Sequence, residues 1–346
     1  MKKIIAMISA IIMALGSSSL VFADGMITKN ENAKCSIVIN ETVDELHRTI
    51  RNYKADENTF VDGAEEANPE EILLALGMDE EEIGRLSEEA LLSCGSAKEI
   101  YYITAYTKTD ESGVVSYLTE KQAVEEAAEL RMKQDVARAN QIKSLKLNVQ
   151  KSINQQGSYS DEYMVINLLV THNGGGNYRF VVSGVWLTMP YWRKTDSIGA
   201  SAQVISINND SRYGHYWYGR TINNNGTITT DSVHVYNGIT YGNAATGNWY
   251  GSACSFSMPN DYFTDTYSIW YDDLGAYYEF TGSLIHPTLP TTFSVVGNYN
   301  HIRTSLSYSP SITITTGPFA VSISVGVYIN NSTDVRGAEF QVTYTP

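Results

Sequence analysis

Cysteine is scarce in this chain, with only Cys35, Cys94 and Cys254 in 346 residues. So few, and an odd number, exclude a disulfide-stapled scaffold. A chain of this length can bury a core without staples. Cys35 with Cys94, both in the first part of the chain, is the expected pair. No cysteine spacing resembles a zinc site, so neither a metal nor another cofactor is expected.

The motifs of common enzymes are missing too. There is no HExxH, no GxSxG, no P-loop, no GxGxxG after a strand and no EF-hand loop. No catalytic residue is assigned, and the chain is expected not to be an enzyme. A secreted hydrolase of unfamiliar type stays open as an alternative, because triads and carboxylate pairs assemble in space and not in sequence. Basic residues are few: 24 against 38 acids, a net charge of −14. Nucleic acids and anionic lipids need phosphate neutralisation by Lys and Arg, so neither is an expected partner.

The long apolar run IIAMISAIIMALG follows Lys2-Lys3 and leads to Val21-Phe22-Ala23. A basic start, an apolar middle and small residues at the end make residues 1–23 a secretory signal, with cleavage after Ala23. The run is short for a membrane span, so no permanent anchor is expected. Leu289-Pro290-Thr291-Thr292-Phe293 lacks the glycine of a sortase signal. A secreted, extracellular protein is the reading, with the composition of a Gram-positive bacterium's export.

What is present divides at about Lys143. Residues 24–150 carry a net charge of −12, and residues from 151 on only −4. In the first part, Thr42-Val43-Asp44-Glu45 fits a capping box and predicts a helix to about Tyr53. Asn68-Pro69-Glu70-Glu71 is a helix start with a cap residue, a proline and acids at the positive end. Short helices should also begin at Asp79 and Ser87. Glu99–Lys108 and Val114–Leu118 predict a hairpin, and a long helix should follow Thr119 to about Gln141. After that, Tyr, Ser, Thr, Asn and Gly dominate. Alternating runs such as Met164–Val170 and Tyr178–Leu187 predict about ten to twelve strands. The expected fold is an α+β chain in two parts: a small, acidic, mainly helical domain with one hairpin over residues 24–143, then an all-β sandwich or flattened antiparallel barrel over 144–346.

The densest aromatic cluster is Arg212-Tyr213-Gly214-His215-Tyr216-Trp217-Tyr218-Gly219-Arg220. Strand alternation puts Tyr213, His215 and Trp217 on one face and Tyr216 and Tyr218 on the other. Flat rings with polar tips suit a glycan, cell-wall or protein ligand. Tyr213, His215, Trp217 and Trp192, in the loop Met189–Arg193, are the candidate binding residues. Aromatic residues also favour strands for packing alone. His215 with Asp196, Asp210 or Asp231 has the makings of a general base, and Asp272-Asp273 and Asn208-Asn209-Asp210 those of a Ca²⁺ site, but solvated turns explain the latter equally.

Ser305–Thr345 alternates most strictly: Phe319, Val321, Ile323, Val325, Val327 and Ile329 against Ala320, Ser322, Ser324, Gly326 and Tyr328. With Ile312 and Ile314 before Thr316-Gly317-Pro318, it predicts a hairpin with one apolar and one hydroxyl face. The pattern resembles the membrane-inserting hairpins of β-barrel pore-forming toxins, which implies an alternative function. An ordinary sandwich hairpin would alternate the same way. The leading expectation is a non-enzymatic binding or surface-interaction protein; its oligomeric state is open.

Overall fold

A computed structural model describes residues 37–55, 68–146, 161–190, 193, 195–224, 227–236, 240–264, 267–302, 312–316, 321–325 and 333–346. Residues 1–23, read above as a secretory signal, Cys35, Trp192 and most of the Ser305–Ile329 stretch lie outside them.

The described chain is mostly β, and the expectation of a mainly helical first domain is corrected. Its first strands, β1 (Ile39–Val43) and β2 (Thr49–Lys54), replace the predicted helix. Asp44 explains the error. Its Oδ1 accepts from the backbone N–H groups of Leu46 and Arg48, both at 2.9 Å, and so closes a hairpin turn instead of capping a helix. His47 adopts φ 58° in that turn. The β-branched residues Ile39, Thr42, Val43, Thr49 and Ile50 then pair across the hairpin.

Three short helices follow where their caps predict: α1 (Pro69–Ala75), α2 (Glu80–Ile83) and α3 (Glu88–Gly95). Asn68, Asp79 and Ser87 each accept a backbone N–H from the first turn. Gly77 leaves α1 with φ 84°, a conformation open to glycine. Strand β3 (Glu99–Thr109) pairs with β4 (Val115–Leu118), and the long α4 (Glu120–Lys146) comes next.

The decisive strand is β3. It hydrogen-bonds β2 on one side and β5 (Glu162–His172) on the other, so the ladder runs from the first part of the chain into the second. With β6 (Asn177–Trp186), β8 (Ile205–Asn224), β9 (Thr227–Tyr236), β12 (Tyr262–Phe263) and β13 (Tyr267–Leu284), these form a ten-stranded sheet in the order β1-β2-β3-β5-β6-β13-β8-β9, with β4 beside β3 and β12 beside β13. A second, five-stranded antiparallel sheet runs β10-β11-β7-β14-β17, made of β7 (Thr195–Gln203), β10 (Thr240–Thr246), β11 (Trp249–Ser257), β14 (Thr291–Ile302) and β17 (Thr333–Tyr344). β10 and β11 were not predicted, because Thr240–Ser257 holds few β-branched residues and its Gly, Ala and Asn read as loop.

The two sheets pack face to face, as in a sandwich. Met164, Ile166, Leu168, Phe180, Val182, Tyr278 and Phe280 of the larger sheet meet Ile198, Phe256, Phe293, Val295 and Tyr299 of the smaller. The larger sheet is covered on its other face as well, by α1–α3, whose Ile72, Leu73, Leu76, Ile83 and Ala90 pack on Tyr102, Leu169, Val181, Trp217 and Tyr277. Cys94 and Cys254 are buried free thiols; Cys35, the partner expected for Cys94, lies outside the described residues. Burial pushes the Cys94 thiol up to about 12.

Strands β15 (Ile312–Thr316) and β16 (Val321–Val325) pair with each other as a separate two-stranded sheet. The register sets Ile312 opposite Val325 and Ile314 opposite Ile323, with Thr313 opposite Ser324 between them. The hairpin lies against the five-stranded sheet, β16 beside β7 and β11 and β15 beside β10.

Candidate functional site

The helix-covered face of the large sheet holds a cavity of ≈ 570 Å³. Its floor comes from strands in register. Asn167 on β5 stands opposite Thr104 on β3 and Ser183 on β6, so three polar residues cross three strands in one line. Tyr102, Tyr277 and Trp217 extend the floor to either side, and residues of α2 and the start of α4 form the walls.

Glu82, on α2, reaches down into this line. Its Oε1 accepts from Asn167 Nδ2 at 2.8 Å and Ser183 Oγ at 3.2 Å, and its Oε2 accepts from the Tyr102 hydroxyl at 2.8 Å. Burial raises the Glu82 carboxyl to about 7, with the charge of Asp79 adding to the rise; the three hydrogen bonds hold it back. It therefore titrates near neutrality. The same contact drives the Tyr102 hydroxyl well above its ordinary value, burial first and the Glu82 charge second.

The aromatic cluster of β8 is divided by the fold. Trp217 lines the cavity, fully buried, with the Arg85 guanidinium 4.2 Å over its ring. Its ring lies across Gly275 on β13, its ladder partner, where even a methyl group would collide with the indole. His215 is buried and stacks on Tyr277, with ring centres 4.9 Å apart and planes 15° apart. Burial, with Arg85 adding to it, pushes the His215 imidazole down to about 4, so it is neutral near pH 7. Tyr213 is 37% exposed at the end of the row. Tyr216 and Tyr218 point the other way, into the core between the sheets. The structure thus brings Trp217 and His215 together beneath the helices, leaves Tyr213 at the surface, and does not describe Trp192.

Beside His215, Glu279 accepts from Ser87 Oγ at 2.7 Å and pairs with Arg179 at 2.9 Å, and the Tyr277 hydroxyl donates to its second oxygen. Of the acids considered with His215 for general-base chemistry, Asp196 lies between the sheets and accepts from His301 Nδ1 at 3.0 Å and from the Tyr299 hydroxyl at 2.6 Å. Asn208 Oδ1 accepts from the Asp210 backbone, a local turn bond. Among the described residues, no group of three or more His, Cys, Asp or Glu side chains is placed to hold a metal ion.

Sequence reasoning passed over Glu82, Tyr102, Asn167 and Ser183. One signal was available: Asn167 is a lone amide in the apolar run Met164–Val170, where a buried polar group must find a partner. Glu82, inside the run Glu80–Glu82, looks like any solvated helix acid.

No protein-family model matches this chain, and no curated protein sequence does. Among solved structures, Clostridium perfringens delta-toxin is similar at 8% identity, over 54% of this chain and 86% of the toxin chain, with a TM-score of 0.22. A superposition that loose carries no argument about fold or function.

Proposed function

We propose that this chain is a secreted, non-enzymatic binding protein that takes its ligand in the cavity between α2, α4 and the large sheet. The observation that carries the reading is the cavity itself, a space of ≈ 570 Å³ with the Glu82 carboxylate bonded to Asn167 and Ser183 on its floor. The volume lies in the range of small-molecule sites, and the lining mixes aromatic faces with a few convergent polar groups. A glycan or cell-wall fragment remains the expected ligand class, now at Trp217 and Asn167 instead of along the exposed row from Tyr213.

Isothermal titration of the secreted chain against a panel of saccharides, cell-wall fragments and peptides tests this. A hit should bind saturably, and Val165→Trp, which fills the cavity from β5, should abolish it. Binding that survives Val165→Trp, or no binding across the panel, overturns the reading.

A second reading is a pore-former. It is favoured by one observation: β15 and β16 pair with each other and belong to neither large sheet. Such a hairpin can leave without breaking a sheet ladder. An engineered disulfide between β16 and β7 should then stop dye release from liposomes, with release restored on reduction. Release untouched by the crosslink removes the hairpin from any membrane role.

A further inference from the structure

A second space, a cleft of ≈ 700 Å³, lies where both sheets end, and no helix contributes to its lining. The small sheet ends in β10, which supplies Asn243, and the next strand, β11, supplies Tyr250. Asn243 is two residues from Ala245, which stands opposite Tyr250 in the ladder, so amide and ring share one face. In the large sheet, β9 pairs only with Tyr216–Asn224 of β8. The first half of β8 is therefore an edge, and it supplies Ile207 and Asn209. Ile285, just past the end of β13, adds an apolar side chain that is 41% exposed. The chain crosses from one sheet to the other at Val204, between β7 and β8. Its φ of 53° is a left-handed conformation that a β-branched residue adopts only under constraint. Val204 N donates to Asn248 O at 2.8 Å, and Val204 O accepts from Ile285 N at 2.9 Å. The crossover thus ties Ile285 to the β10–β11 turn.

A chain of hydrogen bonds sets the polar groups. The buried Tyr278 hydroxyl donates to Ser252 Oγ at 2.5 Å, and Ser252 donates to Asn243 Oδ1 at 2.5 Å. Asn243 Nδ2 then donates to Asn209 Oδ1. The chain runs from the core to two amides on exposed residues and fixes them before any ligand arrives. Asn209 is tied by one atom of its amide and has the other to give. Turning both amides over reverses the chain and leaves Asn209 an acceptor in place of a donor. A ligand hydroxyl, donor and acceptor at once, meets either.

Among the described residues, no charged side chain lines the cleft. The neighbouring cation, Arg212, is engaged beside it: its Nε donates to the Asn209 carbonyl at 2.7 Å, and its guanidinium lies 5.7 Å from the centre of the Tyr241 ring. A charged ligand would meet no countercharge there. A wholly apolar one would cover the amides without bonding them, at about 1–3 kcal/mol for each. We propose that this cleft is a second binding site, independent of the cavity under the helices, and that it takes a neutral oligosaccharide. Ring hydroxyls bond Asn209 and Asn243, and the C–H face of a sugar ring lies against Tyr250. No ionisable group of the lining takes part, so affinity is flat with pH around neutrality.

Calorimetric titration of the secreted chain with three β-1,4-linked trimers tests this: cellotriose, chitotriose and the trimer of glucuronic acid. Cellotriose or chitotriose should bind saturably, and the glucuronate trimer about tenfold or more weakly than the better of the two. Asn209→Ala, at an exposed position, should weaken that binding about threefold to tenfold, the size of one neutral hydrogen bond. Tyr250→Ala should weaken it about tenfold. No saturable binding of either neutral trimer overturns the proposal, as does a glucuronate trimer that binds equally well. Binding untouched by both Asn209→Ala and Tyr250→Ala overturns it too. If such binding is lost in Val165→Trp, the sugar belongs under the helices; this site then fails and the first one stands.

Discussion

Two polar clusters lie on opposite faces of the ten-stranded sheet, and they treat burial differently. Between the sheets, Asp196, His301, Glu162 and Arg336 are each 0% exposed. Asp196 accepts from His301 and Tyr299, Arg336 reaches Glu162 at 3.4 Å, and its guanidinium lies 4.4 Å over the Trp186 ring. Trp186 Nε1 in turn donates to the Tyr299 hydroxyl at 3.1 Å. The four ionisable groups come from four strands, β5, β7, β14 and β17, and the rings of Trp186 on β6 and Tyr299 on β14 fill the space between them. Under the helices, Glu82 is matched only with neutral donors, its carboxyl titrates near 7, and a cavity lies beside it. The first arrangement ties one sheet to the other. The second keeps an ionisable group where a small molecule can meet it. Burial of polar groups is thus no mark of function by itself; the open space beside Glu82 is what sets the second cluster apart.

Breaking the inter-sheet cluster should have the largest effect. Asp196→Ala leaves His301 and the Tyr299 hydroxyl without their shared acceptor, and should cost about 2–6 kcal/mol in urea unfolding, about 1–3 for each buried donor left unmade. A loss under about 1 kcal/mol would show that the cluster does not tie the sheets.

His215 gives the next effect, and it is confined to acid. Its folded value near 4 lies below the ordinary 6.5, so the unfolded chain takes up a proton that the fold refuses. Stability from this residue is complete above pH 6.5 and falls toward pH 4 by up to about 3 kcal/mol. His215→Phe, which keeps a ring against Tyr277, should remove that acid loss. Urea midpoints followed from pH 7 to 4 would show the two proteins diverging; parallel curves contradict it.

Gly275→Ala sets a methyl against the Trp217 indole and should cost about 2 kcal/mol by overpacking, with a shift in tryptophan emission as the ring is displaced. Unchanged emission would mean that the ring does not lie over Gly275. Glu82 works in the opposite pH direction from His215. Its folded value is raised, so the fold holds a proton that the unfolded chain has released, and stability falls as pH rises from 4.5 through 7. Glu82→Gln should abolish that fall, a relative gain of about 2 kcal/mol at pH 8 over pH 5. Equal pH slopes in variant and parent would refute the raised carboxyl. The smallest effect is expected at Ser87, which caps α3 at Ala90 N and donates to Glu279. Ser87→Ala should lose about 1 kcal/mol, and thermal unfolding unchanged within error would count against the cap.

Much of the local structure was legible in the residues. The caps Asn68, Asp79 and Ser87 and the turn Asp110–Gly113 act within a few residues of themselves, so their chemistry is visible in order. Strand alternation was readable wherever a strand has two different faces, as in Tyr213–Tyr218. The capping-box reading failed at Thr42–Glu45, because Asp44 uses its carboxylate to close the turn into β2, and only the partner strand β3 decides between helix and hairpin.

The β character after residue 160, the short helices and the split of the β8 aromatics onto two faces follow from side-chain periodicity and backbone hydrogen bonding close at hand. That β3 of the first part joins β5 of the second, and that Glu82, Tyr102, Asn167 and Ser183 meet at one carboxyl, depends on how the layers assemble. Those contacts span 20 to 101 residues, and no local pattern distinguishes the strand that will pair or the acid that will be covered. Burial and strand partnership are properties of the assembled layers, and they alone turn an ordinary helix glutamate into a group that titrates near neutrality.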